Sequence, residues 1–341
     1  MTRRALAVAL FAAVAFGLFW RLGEPPPHHR GEQRSDAIVR EMLASGQWLF
    51  PPLHGTARLQ KPPLFYWAAA ATAELAGGPS GITLRSVSAL AGLATLAVVL
   101  AWGSRALEPA SGLAAAAALA AMAQFWLSAR LGTADMLLVL FTTAALAAFE
   151  RLAVTRELRW LPVLAALFTA AFLTKATAAL VDVAVPALAW LAAERQLGAL
   201  LRPRTLAWAA VAACASLAWY AAALLSVPEA APHLREFFFV PLGAGHSDLA
   251  SDHYHPVWWY LPRFLGAALP AVLLLPLVLR DGVQSKLWRG VPTLRFAATS
   301  FVSLFAVWSL IPQKGRHYLL PMLPFFALLA GSSLARLARR A

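Results

Sequence analysis

Between residues 31 and 63 the chain carries Glu32, Arg34 and Lys61 in a short polar stretch bounded by apolar blocks. Lys61 stands directly before Pro62-Pro63, and Leu64-Phe65-Tyr66-Trp67 follows. Proline fixes φ and lacks an amide hydrogen, so Pro51-Pro52 and Pro62-Pro63 forbid helix and stiffen the loop around the lysine. A held ammonium and guanidinium beside an aromatic, apolar flank suit a phosphate on an isoprenoid tail. Snorkelling onto ordinary lipid headgroups would use the same residues, and spacing alone leaves both readings open. Other groups with chemical potential lie far along the chain. Asp135 in GTAD reads as a helix cap or a site carboxylate. Lys175 and Asp182 bracket a tight turn and read as an ion pair locking a hairpin, with Lys175 available to a phosphate. Lys314, Arg316 and Tyr318 sit in QKGRHY, and Arg263 in WWYLPRF.

One polar segment has metal-ligand residue types at short spacing: His246, Asp248, Asp252, His253 and His255 in GHSDLASDHYH. The plainer reading is a solvated loop or a lid over an acceptor. A divalent metal is therefore left open but unsupported, and no cofactor is required. His28 and His29, after three prolines, are read the same way.

The elements that must position these groups are set by lipid. Of 341 residues 60% are hydrophobic and 13% charged, against roughly 25% charged in soluble domains. Apolar blocks have the length that crosses a hydrocarbon core of about 30 Å, and only helices satisfy their own backbone there as open-chain elements. The expected class is all-α and polytopic, one membrane domain over 1–341 with about ten spans. These are placed near 5–22, 82–104, 109–126, 133–150, 160–176, 178–194, 205–225, 257–279, 296–312 and 318–335. The block 63–77 is shorter and contains Glu74, so it is expected to lie at the interface. Residues 1–22 end in Phe19-Trp20-Arg21, not in the small residues a signal peptidase needs, and read as a retained span.

The net charge of +13 does not form a nucleic-acid patch, because the basic residues sit at the ends of apolar blocks. With the N-terminus cytoplasmic, every inner turn carries at least one arginine. That orientation leaves two substantial outer loops, 23–62 and 226–256. The single Cys214 excludes an intrachain disulfide and a cysteine metal site. In the first outer loop Ser35 is expected to cap an amphipathic helix that ends at Gly46 and lies on the membrane surface.

Taken as strings, the islands GEQR, REMLASGQWLFPPLHG, KPPLFYW, RSVSALAG, ARLGTADMLLVLF, LTKATAAL, FFF, WWYLPRFLGAALP and QKGRHYLLPMLP resemble those of the lipid A 4-amino-4-deoxy-L-arabinose transferases. More broadly they are similar to glycosyltransferase family 39, which includes the dolichyl-phosphate-mannose–protein mannosyltransferases. They lie in the same order and span nearly the whole chain. The resemblance implies a type-C fold in a bacterial inner membrane and a donor sugar on undecaprenyl monophosphate. Transfer would occur on the outer face, to a lipid or protein acceptor in the envelope. It implies Arg34, Lys61, Lys314 and Arg316 as phosphate ligands, with Lys175, Arg263 and Tyr318 as additions. Glu32 and Asp135 would be the catalytic carboxylates. The family has Asp-Glu where this chain has Gly31-Glu32, which weakens transfer to a protein hydroxyl more than transfer to a phosphate that is already nucleophilic. The family's arabinose transferases are longer, so a short member without their C-terminal periplasmic domain is expected. A polyprenyl-lipid flippase is the rival of a different class. It would place ionisable groups at the bilayer midplane, whereas here nearly every charge lies at a helix end.

Overall fold

Lipid-length helices dominate the computed structural model, which describes residues 2–24, 26, 29–232, 234, 254–283 and 287–340. The first, α1 (Arg3–Phe19), is capped by the Thr2 hydroxyl, which accepts from the Ala5 amide at 3.2 Å. There follow α2 (Arg30–Ser45), a two-stranded hairpin of β1 (Pro52–Leu53) and β2 (Thr56–Ala57), and α3 (Leu64–Leu75). Then come α4 (Gly81–Ala106), α5 (Pro109–Ala121), α6 (Ala123–Ala129), α7 (Asp135–Thr155), α8 (Trp160–Ala193) and α9 (Pro203–Ser226). After them stand α10 (Tyr260–Ala267) and α11 (Leu275–Val283), then α12 (Pro292–Leu310) and α13 (Leu323–Arg340).

Among the described residues six single helical segments are long and apolar enough to cross a membrane, and two bent pairs, each taken as one span, bring the total to eight. The expected ten differ from these at two places. At 17 residues α1 rises about 26 Å, just short of the core. The expected pair 160–176 and 178–194 is present as the two halves of α8, parted by non-helical backbone at Lys175 (φ −160°, ψ 81°), and the total of eight takes that pair as one segment. Its two halves run in opposite directions along α7. Trp160 lies among Ala144, Ala147 and Ala148, Lys175 reaches Asp135, and Trp190 returns to Phe296, which packs on Phe149.

The expected spans 109–126 and 257–279 are each bent. α5 and α6 meet at 70°, and the Val257–Ala267 and Ala271–Val283 segments at 102°, beside Pro270. A break exposes backbone groups that lipid cannot satisfy. Here one break serves the other, because the Ala123 amide donates to the Leu269 carbonyl at 2.8 Å. Small residues draw the central helices into backbone contact. A Cβ at Gly331 of α13 would come within 2.3 Å of the Ala115 nitrogen of α5.

The loop before α3 also departs from expectation. α2 starts five residues earlier than Ser35, with His29 as its N-cap, and Ser35 instead donates back to the Gly31 carbonyl at 2.9 Å. Gly46 does end the helix, in the left-handed conformation (φ 70°) that favours glycine. Its apolar face (Ile38, Val39, Met42) is buried in the protein core, so the helix is docked on the bundle as well as amphipathic. The hairpin turn is His54-Gly55, both at positive φ (56° and 77°) as a two-residue turn requires. The Glu41 carboxylate accepts from both of their amides, at 2.8 and 2.5 Å. Two tryptophans tie the loop to the bundle: Trp67 donates to the Trp48 carbonyl at 2.6 Å, and Trp219 to that of Leu49 at 2.7 Å.

Candidate functional site

At one end of the bundle a cluster of cations gathers around a single carboxylate. Asp135 opens α7, so its carboxylate also meets the unpaired amides of the helix start. Lys175, at the reversal of α8, pairs with it at 2.9 Å, and Thr133 donates to its other oxygen at 3.1 Å. Lys175 also stands 5.4 Å from the centre of the Tyr318 ring, which stacks on Trp308 at 4.2 Å. Trp308 in turn donates to Asp182 at 2.9 Å. The expected Lys175–Asp182 pair is therefore replaced by Lys175–Asp135, because the α8 reversal aims the ammonium at the start of α7.

Lys61 faces this pair from the proline-braced loop. It is half-buried, and no hydrogen bond or ion pair is described for its ammonium among the described residues. Burial lowers its pKa to about 8, the neighbouring Lys175, Arg58 and Arg34 push the same way, and Asp135 opposes them. Arg58 lies beside the Tyr66 hydroxyl, and burial draws its own pKa down. His317 shares the same electrostatic neighbourhood, within reach of Lys175, Asp135, Lys61 and His29. Lys61 thus has three other cations near it (Lys175, Arg58, Arg34) and one carboxylate, Asp135, that Lys175 already neutralises. A half-buried excess of positive charge of this kind is a site for an anion such as a phosphate.

The remaining expected residues separate from the cluster. Glu32 is fully buried and bound by Arg85 through two bonds, at 2.6 and 3.0 Å, while the Gly132 amide donates to it at 2.9 Å. Arg85 also reaches the Leu22 carbonyl at 2.8 Å. This buried knot joins α2, α4 and the turn that leads into Asp135, and it holds the carboxylate that the resemblance implied as catalytic. Lys314 is buried and donates to the Ser309 carbonyl at 2.7 Å and to that of Ile311, which caps the end of α12. Arg316 is exposed. Arg263 lies 3.7 Å over the Trp259 ring and donates to the Trp259 carbonyl. His255 stacks on the same Trp259 ring, with 4.4 Å between ring centres.

His246, Asp248, Asp252 and His253 lie outside the described residues, as does His28, and no group of metal-ligating side chains occurs among the described ones. Gly31 sits in the first turn of α2, and its amide donates to His29 Nδ1 at 3.2 Å. A Cβ at position 31 would come 3.1 Å from that nitrogen, so the imidazole occupies the space a side chain there would need. Arg58, Tyr66 and His317 were not singled out by sequence. The first two flank Lys61, and the last adjoins Arg316 in the motif already marked; the neighbourhood was visible, the individual residues were not.

Residues 60–224 match the sequence model of the dolichyl-phosphate-mannose-protein mannosyltransferase family. An undecaprenyl phosphate-alpha-4-amino-4-deoxy-L-arabinose arabinosyl transferase 1 of Pseudomonas fluorescens is 32% identical over 98% of this chain and 60% of its own length. The transferase 2 of the same organism is 31% identical over 94% and 55%. The chain thus spans little more than half the length of these curated relatives. The apo structure of ArnT from Cupriavidus metallidurans shares the fold with a TM-score of 0.80 at 24% identity, over 99% of this chain and 61% of that one. The same enzyme bound to undecaprenyl phosphate gives 0.79 at 25% identity, over 98% and 61%. In sequence the chain is thus similar to undecaprenyl phosphate-linked arabinosyl transferases and, over residues 60–224, to the dolichyl-phosphate-mannose-protein mannosyltransferase family, and it shares the ArnT fold.

Proposed function

We propose that the protein transfers a sugar from undecaprenyl monophosphate to an acceptor on the outer face of the bacterial inner membrane, with lipid A or a related envelope lipid as the acceptor class. The observation that carries this reading is Lys61, a half-buried ammonium with no described partner in a cluster of excess positive charge. The relatives' names and the undecaprenyl phosphate bound in the ArnT structure support the same donor.

In this mechanism the bond between the anomeric carbon and the phosphate oxygen breaks, and charge grows on the phosphate oxygens. Lys61, Arg58 and Arg34 stabilise that charge more in the transition state than before it. Asp135 holds Lys175 against Tyr318 and is the carboxylate open to the reacting groups, while Glu32 fixes the frame through Arg85. The sugar's activation resides in the lipid donor, so no nucleotide is involved. The acceptor oxygen attacks the anomeric carbon, its proton passes to a nearby base or to solvent, and undecaprenyl phosphate leaves.

The test uses the purified full chain in lipid, radiolabelled undecaprenyl-phosphate sugars and crude envelope acceptors. Wild type moves label from the donor, and Lys61→Ala does not. Label remaining on every donor with wild type, together with equal donor binding by both proteins, sinks the transferase reading. A labelled protein in place of a labelled lipid would replace the acceptor class.

A further inference from the structure

The two halves of α8 spread apart from Lys175, and with α7 and α9 they enclose a cavity of about 500 Å³. Its upper end, at Phe172 and Leu180, lies within two turns of the reversal. Its walls are almost wholly apolar, with Leu161 and Leu191 facing each other from the two halves and Leu217 closing the α9 side. Charged side chains line it only toward the far end, where Arg156 and Arg202 stand with Gln196, while the Ser216 hydroxyl of α9 is the polar group farther along the slot. The Gln196 Oε1 is buried with no hydrogen-bond partner among the described residues. Neither arginine has a described ion pair; the carboxylates nearest in sequence are engaged elsewhere, Glu157 by Arg159 and Glu194 by Arg295. Alongside, α9 presents Leu206, Val211 and Leu224 outward, so the cavity borders the lipid phase.

An apolar slot of this size with two unpaired guanidiniums at one end has the polarity of an amphiphile with an anionic head. We propose that it holds one acyl chain of an anionic phospholipid, whose phosphate lies between Arg156 and Arg202. This site is separate from the cluster around Lys61, at the opposite end of α7. The lipid would come from the leaflet at that end, because the arginines sit where headgroups lie and the apolar slot runs inward from them. It would also fill the space between the halves of α8 that a dry, unfilled groove leaves without packing partners.

The full chain is reconstituted in vesicles of equal phosphatidylglycerol and phosphatidylcholine, extracted, and the retained lipid is read by native mass spectrometry. Wild type retains phosphatidylglycerol in preference to phosphatidylcholine. Arg156→Gln with Arg202→Gln lowers that affinity roughly thirtyfold, as expected from about 1 kcal/mol for each cation near a lipid surface. Ala213→Trp, which fills the slot and leaves both charges, also loses the lipid while its unfolding temperature in phosphatidylcholine stays at the wild-type value. Lys61→Ala keeps it, which separates this site from the donor site. Retention in the ratio of the vesicle lipids, or equal phosphatidylglycerol on wild type and the double variant, overturns the proposal. Displacement of phosphatidylglycerol by added undecaprenyl phosphate in both wild type and Lys61→Ala overturns it too, by assigning the slot to the donor lipid.

Discussion

At the residue scale the site rests on two half-buried lysines treated in opposite ways. Lys175 has its carboxylate, whereas Lys61 has only cations and a shared acid near it, and its pKa falls to about 8. A bound phosphate favours the ammonium form, so donor binding takes up protons above pH 8. Undecaprenyl phosphate affinity is therefore expected to hold below about pH 7.5 and to fall by up to about tenfold per unit above pH 8. Lys61→Arg removes that alkaline fall, and titration of the dissociation constant against pH checks it. The sign for folding is opposite. The folded pKa of Lys61 lies below the unfolded value of 10.5, so the unfolded chain binds more protons between about pH 8 and 10.5 and the lysine's penalty fades across that window. Lys61→Met is thus expected to raise the unfolding temperature of the ligand-free protein at pH 7 while abolishing donor binding. Glu32 predicts the reverse pattern. Glu32→Gln leaves the Arg85 charge buried without its counter-ion and should cost about 3 kcal/mol of stability. The double change Glu32→Gln, Arg85→Met should recover much of it. Loss of turnover by Glu32→Gln at unchanged unfolding temperature would restore a catalytic role to this carboxylate.

At the element scale, what the sequence made legible was where most of the apolar helices lie, and what it hid was how they bend and meet. The apolar block 160–194 read correctly as a reversing pair around Lys175. The partner of that lysine, Asp135, lies 40 residues away and is set by how α8 packs on α7. Likewise QKGRHY marked the right neighbourhood, but Lys314 turns back onto the end of α12. A basic residue after a helix is both a good cap and a good phosphate ligand, and only packing decides between them. The start of α2 was misplaced because Ser35 is a strong capping type, while His29 caps through a ring nitrogen. Lys61 is held by a loop whose order depends on a few side-chain anchors. Trp219→Phe keeps the ring but removes the donor to the Leu49 carbonyl. It should raise amide exchange across residues 47–60 and weaken undecaprenyl phosphate binding several-fold, with the helices unchanged. Exchange confined to wild-type rates would mean that the proline pairs alone hold the loop.

At the scale of the whole molecule the two ends of the bundle carry different chemistry, and the proposed function needs the cluster end to face outward. The basic residues at the other end, Arg156, Arg202, Arg204 and Arg295 among them, belong on the cytoplasmic side if positive charge sets the topology. Cys214, the one cysteine in the chain, lies within α9 and is exposed toward lipid. Cys214→Ala therefore gives a clean background for single-cysteine labelling. Gln60 is exposed beside Lys61, and Arg204 is exposed at the far end of α9. In intact cells a membrane-impermeant maleimide should label Gln60→Cys at once and Arg204→Cys only after permeabilisation. The reversed pattern would place Lys61, Asp135 and Lys175 on the cytoplasmic side. There the cluster would meet nucleotide-made donors and inner-leaflet lipid, and transfer onto an outer-leaflet acceptor could not follow from it.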